Sequence, residues 1–375
     1  MAKRKIAFII TKLQLGGAQK SVLYSVSHLP KDKFETYLLC GMGGTLDNFA
    51  KEKIKNLYFI SSLVRQINPV KDFLAFIEII KTLKKIKPDL VHTNCPKAGI
   101  LGRIAAKIFT RAKVIHTTHG FVFYEGQNII KKYFYIFIER FAAYFSDSMV
   151  FVSNKDLKTA LKYKITTKEK SCLIRAGVEV NTPQNITFNK TEFLAKLNLK
   201  PEAKIILQIA NLKAEKAPLE SVKIAKLVCK KYPQAVFLYT GSGPLKEKTQ
   251  TLIKNFKLED NFKLIGERQD IPQLLALADI FLLTSVREGL PMALIEALFM
   301  QVPAVCYDVG GIKEILKNGQ NGFLISPGNK QKAAQSIFTI LQGKFSFKEQ
   351  KTLLADFDIN LMVKKQTALY NKLLK

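Results

Sequence analysis

The sequence predicts an α/β protein built from two doubly wound domains in tandem. Three observations predict this class. Short apolar runs alternate with amphipathic helical stretches along the chain, which implies parallel sheets covered by helices on both faces. The runs are apolar on both sides of the strand, as buried parallel strands are. At 375 residues the chain is too long for one ordinary domain and comfortable for two.

The first strands read KIAFIIT, TYLLC, DLVHT, KVIHTTH and SMVFVS. Helices are expected between them, at Ala18 to Leu29, Val70 to Ile86 and Lys97 to Phe109. The polar stretch VEVNTPQNITFNK, residues 178–190, holds a proline, has no clear period and reads as a linker. A second set follows: KIILQIA, AVFLYTG, FKLIG, DIFLLTS, PAVCYDV and GFLIS, again with helices between. A last helix, Asp358 to Leu374, is expected to pack back on the first domain. The organisation is thus residues 1–183, then 184–355, then the terminal helix in 356–375.

Composition narrows the partners. The chain has 59 Lys and Arg against 30 Asp and Glu, a formal charge of +29. Before Pro183 there are 31 basic and 13 acidic residues; from there on, 28 and 17. Such an excess favours phosphates, an anionic membrane surface or nucleic acid, or else reflects a surface that is simply rich in lysine. No helix-turn-helix, zinc finger or aromatic stacking platform supports nucleic acid, so none is expected as a partner. Five dispersed cysteines with no close pair argue for reduced thiols in the cytoplasm, against a disulfide frame or zinc site. The segment MAKRKIAFIITKLQ has too short an apolar run for a signal peptide. KKYFYIFIERFAAYF is interrupted by Glu139 and Arg140 well short of a membrane span. VKDFLAFIEIIKTLKKIKPD carries an apolar stripe (Phe73, Ile77, Ile80, Leu83) and a late cluster of Lys81, Lys84, Lys85 and Lys87. It reads either as a helix packed on its sheet with a wet basic face, or as a point of peripheral, salt-sensitive attachment to anionic membrane.

Ligands of doubly wound sheets bind beyond the carboxyl ends of the strands, so the loops there carry the chemistry. Gly16 and Gly17, in TKLQLGGAQKSV, follow the first strand and open a helix. They suit close approach of an anion to free N–H groups, or a tight turn with no ligand. His119 and Gly120 end the strand KVIHTTH; His119 can hydrogen-bond a ligand or be structural, whereas His116 lies within the strand and reads as structural. No Cys or carboxylate stands at metal-ligand spacing beside them, so no metal site is expected. Lys213 and Lys216, in IANLKAEKAPLESV, lie where a lysine can neutralise a diphosphate, or simply be exposed. Gly241 and Gly243 form the turn of YTGSGPL, and Arg268 follows the strand FKLIG with Asp270 as its helix N-cap. In SVREGLPMALIEALFMQVPAV, Pro291 marks the start of a helix. Glu288 falls in the loop before it and Glu296 five residues in, about 7–8 Å along. A diphosphate at that N-terminus would repel carboxylates, so the two glutamates should face neutral hydroxyls. A carboxylate accepts two O–H donors from a vicinal diol, as ribose and hexose both offer.

The E-x7-E pattern in EGLPMALIE, with GSGPL, HGF and the tail DVGGIKEILKNGQNGFLI, resembles the retaining glycosyltransferases of family 4. The resemblance spans nearly the whole chain. KAGILGRIAA (97–106) and HTTHGFVFYEG (116–126) look like the branch that builds capsule, O-antigen and related lipid-linked glycans. It implies the GT-B fold, two Rossmann-like domains facing across a cleft. It implies a nucleoside diphosphate sugar as substrate, UDP by default, with no cofactor and no metal. It implies a glycan or polyprenyl-linked acceptor, at the cytoplasmic face of the inner membrane. Glu296 would hold the ribose; Glu288 would contact the transferred sugar, with the backbone of Gly289, Leu290 and Pro291 near its hydroxyls and phosphates. His119 would hydrogen-bond that sugar. Gly17, with Gly16, would approach the diphosphate or acceptor; Lys216 would neutralise the diphosphate, Gly241 and Gly243 would line the nucleotide, and Arg268 would flank the base. Many members have Arg where Asn211 stands and Gly where Ala217 stands, so a two-cation clamp would need Lys213. The branch also often has His at the position of Asn94. Another GT-B enzyme, such as a sugar-nucleotide epimerase or a phosphorylase-like enzyme, is the alternative within the fold.

Overall fold

The computed structural model describes residues 2–124 and 126–375; Glu125, inside HTTHGFVFYEG, lies outside the described residues. The chain divides into two units, residues 1–177 with 357–375, and residues 178–356. The division thus falls after Gly177, ahead of Pro183.

In the first unit the strands are β1 (Arg4–Lys12), β2 (Phe34–Gly41), β3 (Leu57–Ile60), β4 (Leu90–Asn94), β5 (Lys113–Thr118), β6 (Ser148–Phe151) and β7 (Ser171–Leu173). They form one parallel sheet in the order β3-β2-β1-β4-β5-β6-β7. The order reverses between β1 and β4, the switch point at which such sheets bind ligands. The helices are α1 (Gly17–His28), α2 (Asp47–Lys53), α3 (Pro69–Ile86), α4 (Pro96–Phe109), α5 (Ile129–Tyr144) and α6 (Asn154–Lys162). One face of the sheet packs α1 and α2 around Phe8, Val22, Leu38 and Ala50. The other packs α3 and α4 around Ile9, Ile79, Leu83 and Ala105, with α5 and α6 over β6.

Two helices show packing that their sequence pattern does not reveal. In α3 the buried residues are Ala75, Ile79, Ile80, Leu83 and Ile86, whereas Phe73 is 65% exposed. The stripe is therefore shortened: Ile77, Ile80 and Leu83 pack on the core and Phe73 does not. In α4, Gly99 and Gly102 are contact positions. A methyl group at Gly99 would lie 2.5 Å from the His116 ring, and one at Gly102 would lie 2.8 Å from Thr93 Cγ2. These glycines let the helix lie close on the sheet, which accounts for half of KAGILGRIAA structurally.

The second unit holds α7 (Lys190–Lys196), β8 (Lys204–Ile209), α8 (Pro218–Cys229), β9 (Ala235–Thr240), α9 (Lys246–Asn255), β10 (Phe262–Gly266), α10 (Ile271–Leu277) and β11 (Ile280–Leu283). It continues with α11 (Met292–Phe299), β12 (Ala304–Tyr307), α12 (Ile312–Ile315), β13 (Gly322–Ile325), α13 (Lys330–Leu341) and α14 (Lys351–Ala355). Its parallel sheet runs β10-β9-β8-β11-β12-β13, with the order reversing between β8 and β11. The last helix, α15 (Ile359–Leu373), belongs to the first unit. Met362, Val363 and Tyr370 join the core beside α1. Gly177 makes the return possible: a methyl there would stand 2.3 Å from the Ile359 Cα. Each unit is thus a doubly wound, Rossmann-like α/β domain.

Candidate functional site

The second unit places the chemistry on three neighbouring loops beyond β8, β9 and β11. After β8 the chain passes Asn211 and Lys213 into a 3₁₀ turn, Ala214–Lys216, and enters α8 through Ala217. Ala217 has φ +45°, the left-handed conformation for which glycine is the usual choice, so alanine keeps the shape that the pattern's glycine would give. A buried polar network holds this turn. Thr284, at the end of β11, donates to the carbonyls of Lys216 (3.1 Å) or Ala217 (3.2 Å), and Ser221 lies 2.9 Å from its hydroxyl. Gln208 of β8 donates to the same Thr284 oxygen at 3.2 Å. Val286 N–H then bonds the Glu215 carbonyl at 2.9 Å. Sequence reasoning missed Gln208, Ser221 and Thr284. A glutamine inside the apolar run KIILQIA was the one signal that a buried network existed.

That network brings Lys216 and Glu288 together. Lys216 Nζ lies 2.6 Å from Glu288 Oε1, with the lysine side chain 24% exposed and the glutamate 7%. The Glu288 backbone is fixed from the other side by the loop after β12. Gly310 adopts φ +61°, and a methyl there would sit 1.9 Å from the Glu288 carbonyl oxygen. Gly311 N–H donates to Gly289 O at 2.8 Å. This is what the tail motif DVGG does structurally. The neighbours of Glu288 feel its charge: burial first, and then that carboxylate, push the Tyr239 phenol and the Cys306 thiol upward, so both stay neutral.

The glycine turn after β9 serves loop packing. Gly241 (φ +139°) and Gly243 (φ +154°) abut the carbonyls of Ala210 and Leu212, at 2.1 and 2.5 Å from a built methyl. Leu212 N–H donates to Ser242 O, which ties the turn to the loop carrying Asn211 and Lys213. Pro291 is the N-cap of α11, one residue before its first helical residue. Leu290 and Glu296 are half-buried. Asp270 stands at the N-cap of α10, but its carboxylate does not cap: both its oxygens accept from the Arg268 guanidinium. Arg268 is thereby paired and about two-thirds covered.

In the first unit Gly16 is the N-cap of α1 and Gly17 its first residue. His119 follows β5 directly, and its Nε2 lies 3.1 Å from Asn94 Oδ1. Asn94 Nδ2 donates to the His92 carbonyl at 3.4 Å. A carbonyl only accepts, so the amide oxygen must face His119, and His119 carries its proton on Nε2. Its Nδ1 is left as an acceptor. Burial of the ring pushes His119 down to about 4, although the residue keeps some access to solvent. His92 contacts Thr117 Oγ1 and Tyr370 OH, each at 2.6 Å, and burial pushes it down to about 3. The C-terminal helix thus reaches, through Tyr370, the network beneath His119. A small cavity there is lined by Ser21, Ser25, His92, Asn94, His119 and Gln366. Among the described residues no cluster of His, Cys, Asp or Glu has the makings of a metal site.

Comparison with known proteins gives this geometry a context. Residues 15–182 match the model of Glycosyltransferase Family 4, and residues 189–353 that of Glycosyl transferases group 1. The UDP-Gal:alpha-D-GlcNAc-diphosphoundecaprenol alpha-1,3-galactosyltransferase of Escherichia coli is 32% identical over 86% of this chain and 84% of its own length. A solved glycosyltransferase of Rickettsia africae ESF-5 superposes with a TM-score of 0.79 at 24% identity, over 100% of both chains. Anabaena Alr3699/HepE, solved with UDP and glucose, gives 0.83 at 18% identity, over 98% of this chain and 100% of its own.

Proposed function

The chain belongs to glycosyltransferase family 4, and we propose that it moves a hexose or N-acetylhexosamine from a UDP-sugar to a lipid-linked glycan during cell-surface polysaccharide assembly, with retention at the anomeric carbon. The observation that carries this reading is the Lys216–Glu288 pair, 2.6 Å apart and largely shielded from water. Without ligand the two charges neutralise each other. A diphosphate arriving beside Lys216 takes over the ammonium, and Glu288 is released to accept hydrogen bonds from a sugar hydroxyl. The E. coli relative supports the donor and acceptor classes, since its name specifies UDP-Gal and a diphosphoundecaprenol acceptor.

In this reading the bond from C1 to the phosphate oxygen breaks as the acceptor hydroxyl attacks C1 on the same face. The hydroxyl proton passes to the leaving phosphate oxygen, and UDP departs. Lys216 and the N-terminus of α11 offset the charge that develops on the diphosphate. Glu296 accepts the two ribose hydroxyls and Arg268 flanks the base. His119, neutral at pH 7 and protonated on Nε2, offers Nδ1 to a hydroxyl of the transferred sugar. The reaction needs neither a cofactor nor a metal ion, and it takes place in the cytoplasm at the membrane surface.

Thermal-shift titration with nucleotide sugars, with and without EDTA, tests this. A UDP-sugar should raise the melting temperature equally in both, because a ligand that binds only the folded state stabilises it. A shift given by no UDP-sugar, or one abolished by EDTA and restored by a divalent cation, would overturn the respective part.

A further inference from the structure

Helix α5 is apolar on both faces. Its inward face packs Ile136, Ala142 and Ala143 and holds Glu139 in a 3.2 Å ion pair with Arg103 of α4, both residues of the pair buried. Its outward face carries Ile130, Tyr133, Phe134, Phe137, Phe141 and Tyr144, each between 53% and 80% exposed. At about 100° per residue these six fall within an arc of roughly 100°, along about 21 Å of helix. A surface helix ordinarily turns its apolar stripe inward. Contiguous apolar exposure on this scale marks an interaction surface. The same layer exposes Val70, Phe73 and Leu74 at the start of α3. Helices in such a sheet start at its carboxyl edge, so the beginnings of α3 and α5 share the edge from which His119 leaves β5.

Charge selects the occupant. Residues 1–177 and 357–375 contain 35 Lys and Arg against 13 Asp and Glu, so this unit holds +22 of the +29. Two copies meeting through such a unit would repel, whereas an anionic surface attracts it. Lys131 and Arg140, both exposed, flank the aromatic stripe on its two sides. An aromatic face between basic flanks is the composition of helices that lie in a bilayer interface. Among the described residues no helix is long and apolar enough to cross a membrane.

We propose that α5 lies flat on an anionic lipid bilayer, its outward aromatic face in the headgroup boundary, and so holds the first unit against the membrane. The purpose of this contact rests on the lipid-linked acceptor proposed above; the contact itself does not. Flotation of the full-length protein tests it, with phosphatidylcholine vesicles and with the same vesicles containing phosphatidylglycerol. The protein should float with the anionic vesicles at low salt and be released by high salt. The triple variant F134S/F137S/F141S should partition at least about tenfold less, with its melting temperature and its UDP-induced shift unchanged. A variant that floats like the parent, or a parent that fails to float, would overturn the proposal. So would a concentration-dependent dimer that the variant loses, with no flotation by either protein. Flotation without any UDP shift would support the surface and overturn the donor reading, so the two fail separately.

Discussion

The pair Lys216–Glu288 sets different expectations for two glutamates eight positions apart. Glu288 is paired and 7% exposed on its side chain, in a loop locked by Gly310; Glu296 is half-buried on α11. Glu288→Ala should reduce transfer at least about a hundredfold while UDP affinity changes by less than about threefold. Glu296→Ala should weaken UDP binding about tenfold or more, as loss of two hydrogen bonds to ribose would. Calorimetry with UDP and initial rates separate the effects, and equal small changes in both variants would contradict the assignment. The histidines set a pH dependence. Unfolded, each binds its proton near pH 6.5. Folded, burial holds His92 down to about 3 and His119 down to about 4. Their neutral forms therefore stabilise the fold fully above pH 6.5, and that contribution is lost as the pH falls through 6.5 towards 4 and then 3. For His92 alone the loss between pH 7 and 4.5 is about 2 kcal/mol, read as a lower urea midpoint. A midpoint that stays flat over this interval would show that the ring is solvated.

Among the elements, glycines fix the register of the loops. Gly310→Ala would force a methyl against the Glu288 carbonyl at a left-handed φ, so it should cost about 2–4 kcal/mol of stability and also displace Glu288. Gly177→Ala would press on Ile359 and lift α15 from the first unit, costing about 1–3 kcal/mol with no direct effect on the second. Denaturation curves and transfer rates together distinguish these outcomes: a loss of transfer with UDP affinity kept is the further effect expected of Gly310→Ala. Most elements were legible in the sequence because buried parallel strands are continuous apolar runs. The strands it did not reveal, β3 and β7, are short edge strands that stay partly exposed; β7, SCL, lacks that signature, and β3, LYFI, carries it over only four residues. The stripe of α3 departs at one residue because large residues were counted: Ala75, small and fully buried, belongs to the true face, and Phe73 lies outside it. The site was legible where motifs carry charge, as at Lys216 and Glu288. The Gln208–Ser221–Thr284 network was not, because three neutral residues far apart in sequence meet only where β8, α8 and β11 pack together.

For the whole molecule, the two units divide the labour by composition. The second, residues 178–356, carries the Lys216–Glu288 pair and the glycine turns; the first carries the charge excess, the neutral His119 and the outward aromatic face of α5. The proposed transfer from a soluble donor to a lipid-linked acceptor would use both kinds of surface. The proposed function requires sugar transfer from UDP with retention, dependent on Glu288. The most direct measurement is the incubation of the purified protein with α-linked UDP-sugars and a lipid-linked N-acetylglucosamine diphosphate acceptor, analysed by mass spectrometry and by NMR of the anomeric proton. A new α-linked disaccharide on the lipid is expected, formed by the parent protein and not by Glu288→Ala; no transfer from any UDP-sugar, or a β-linked product, would refute the proposed function.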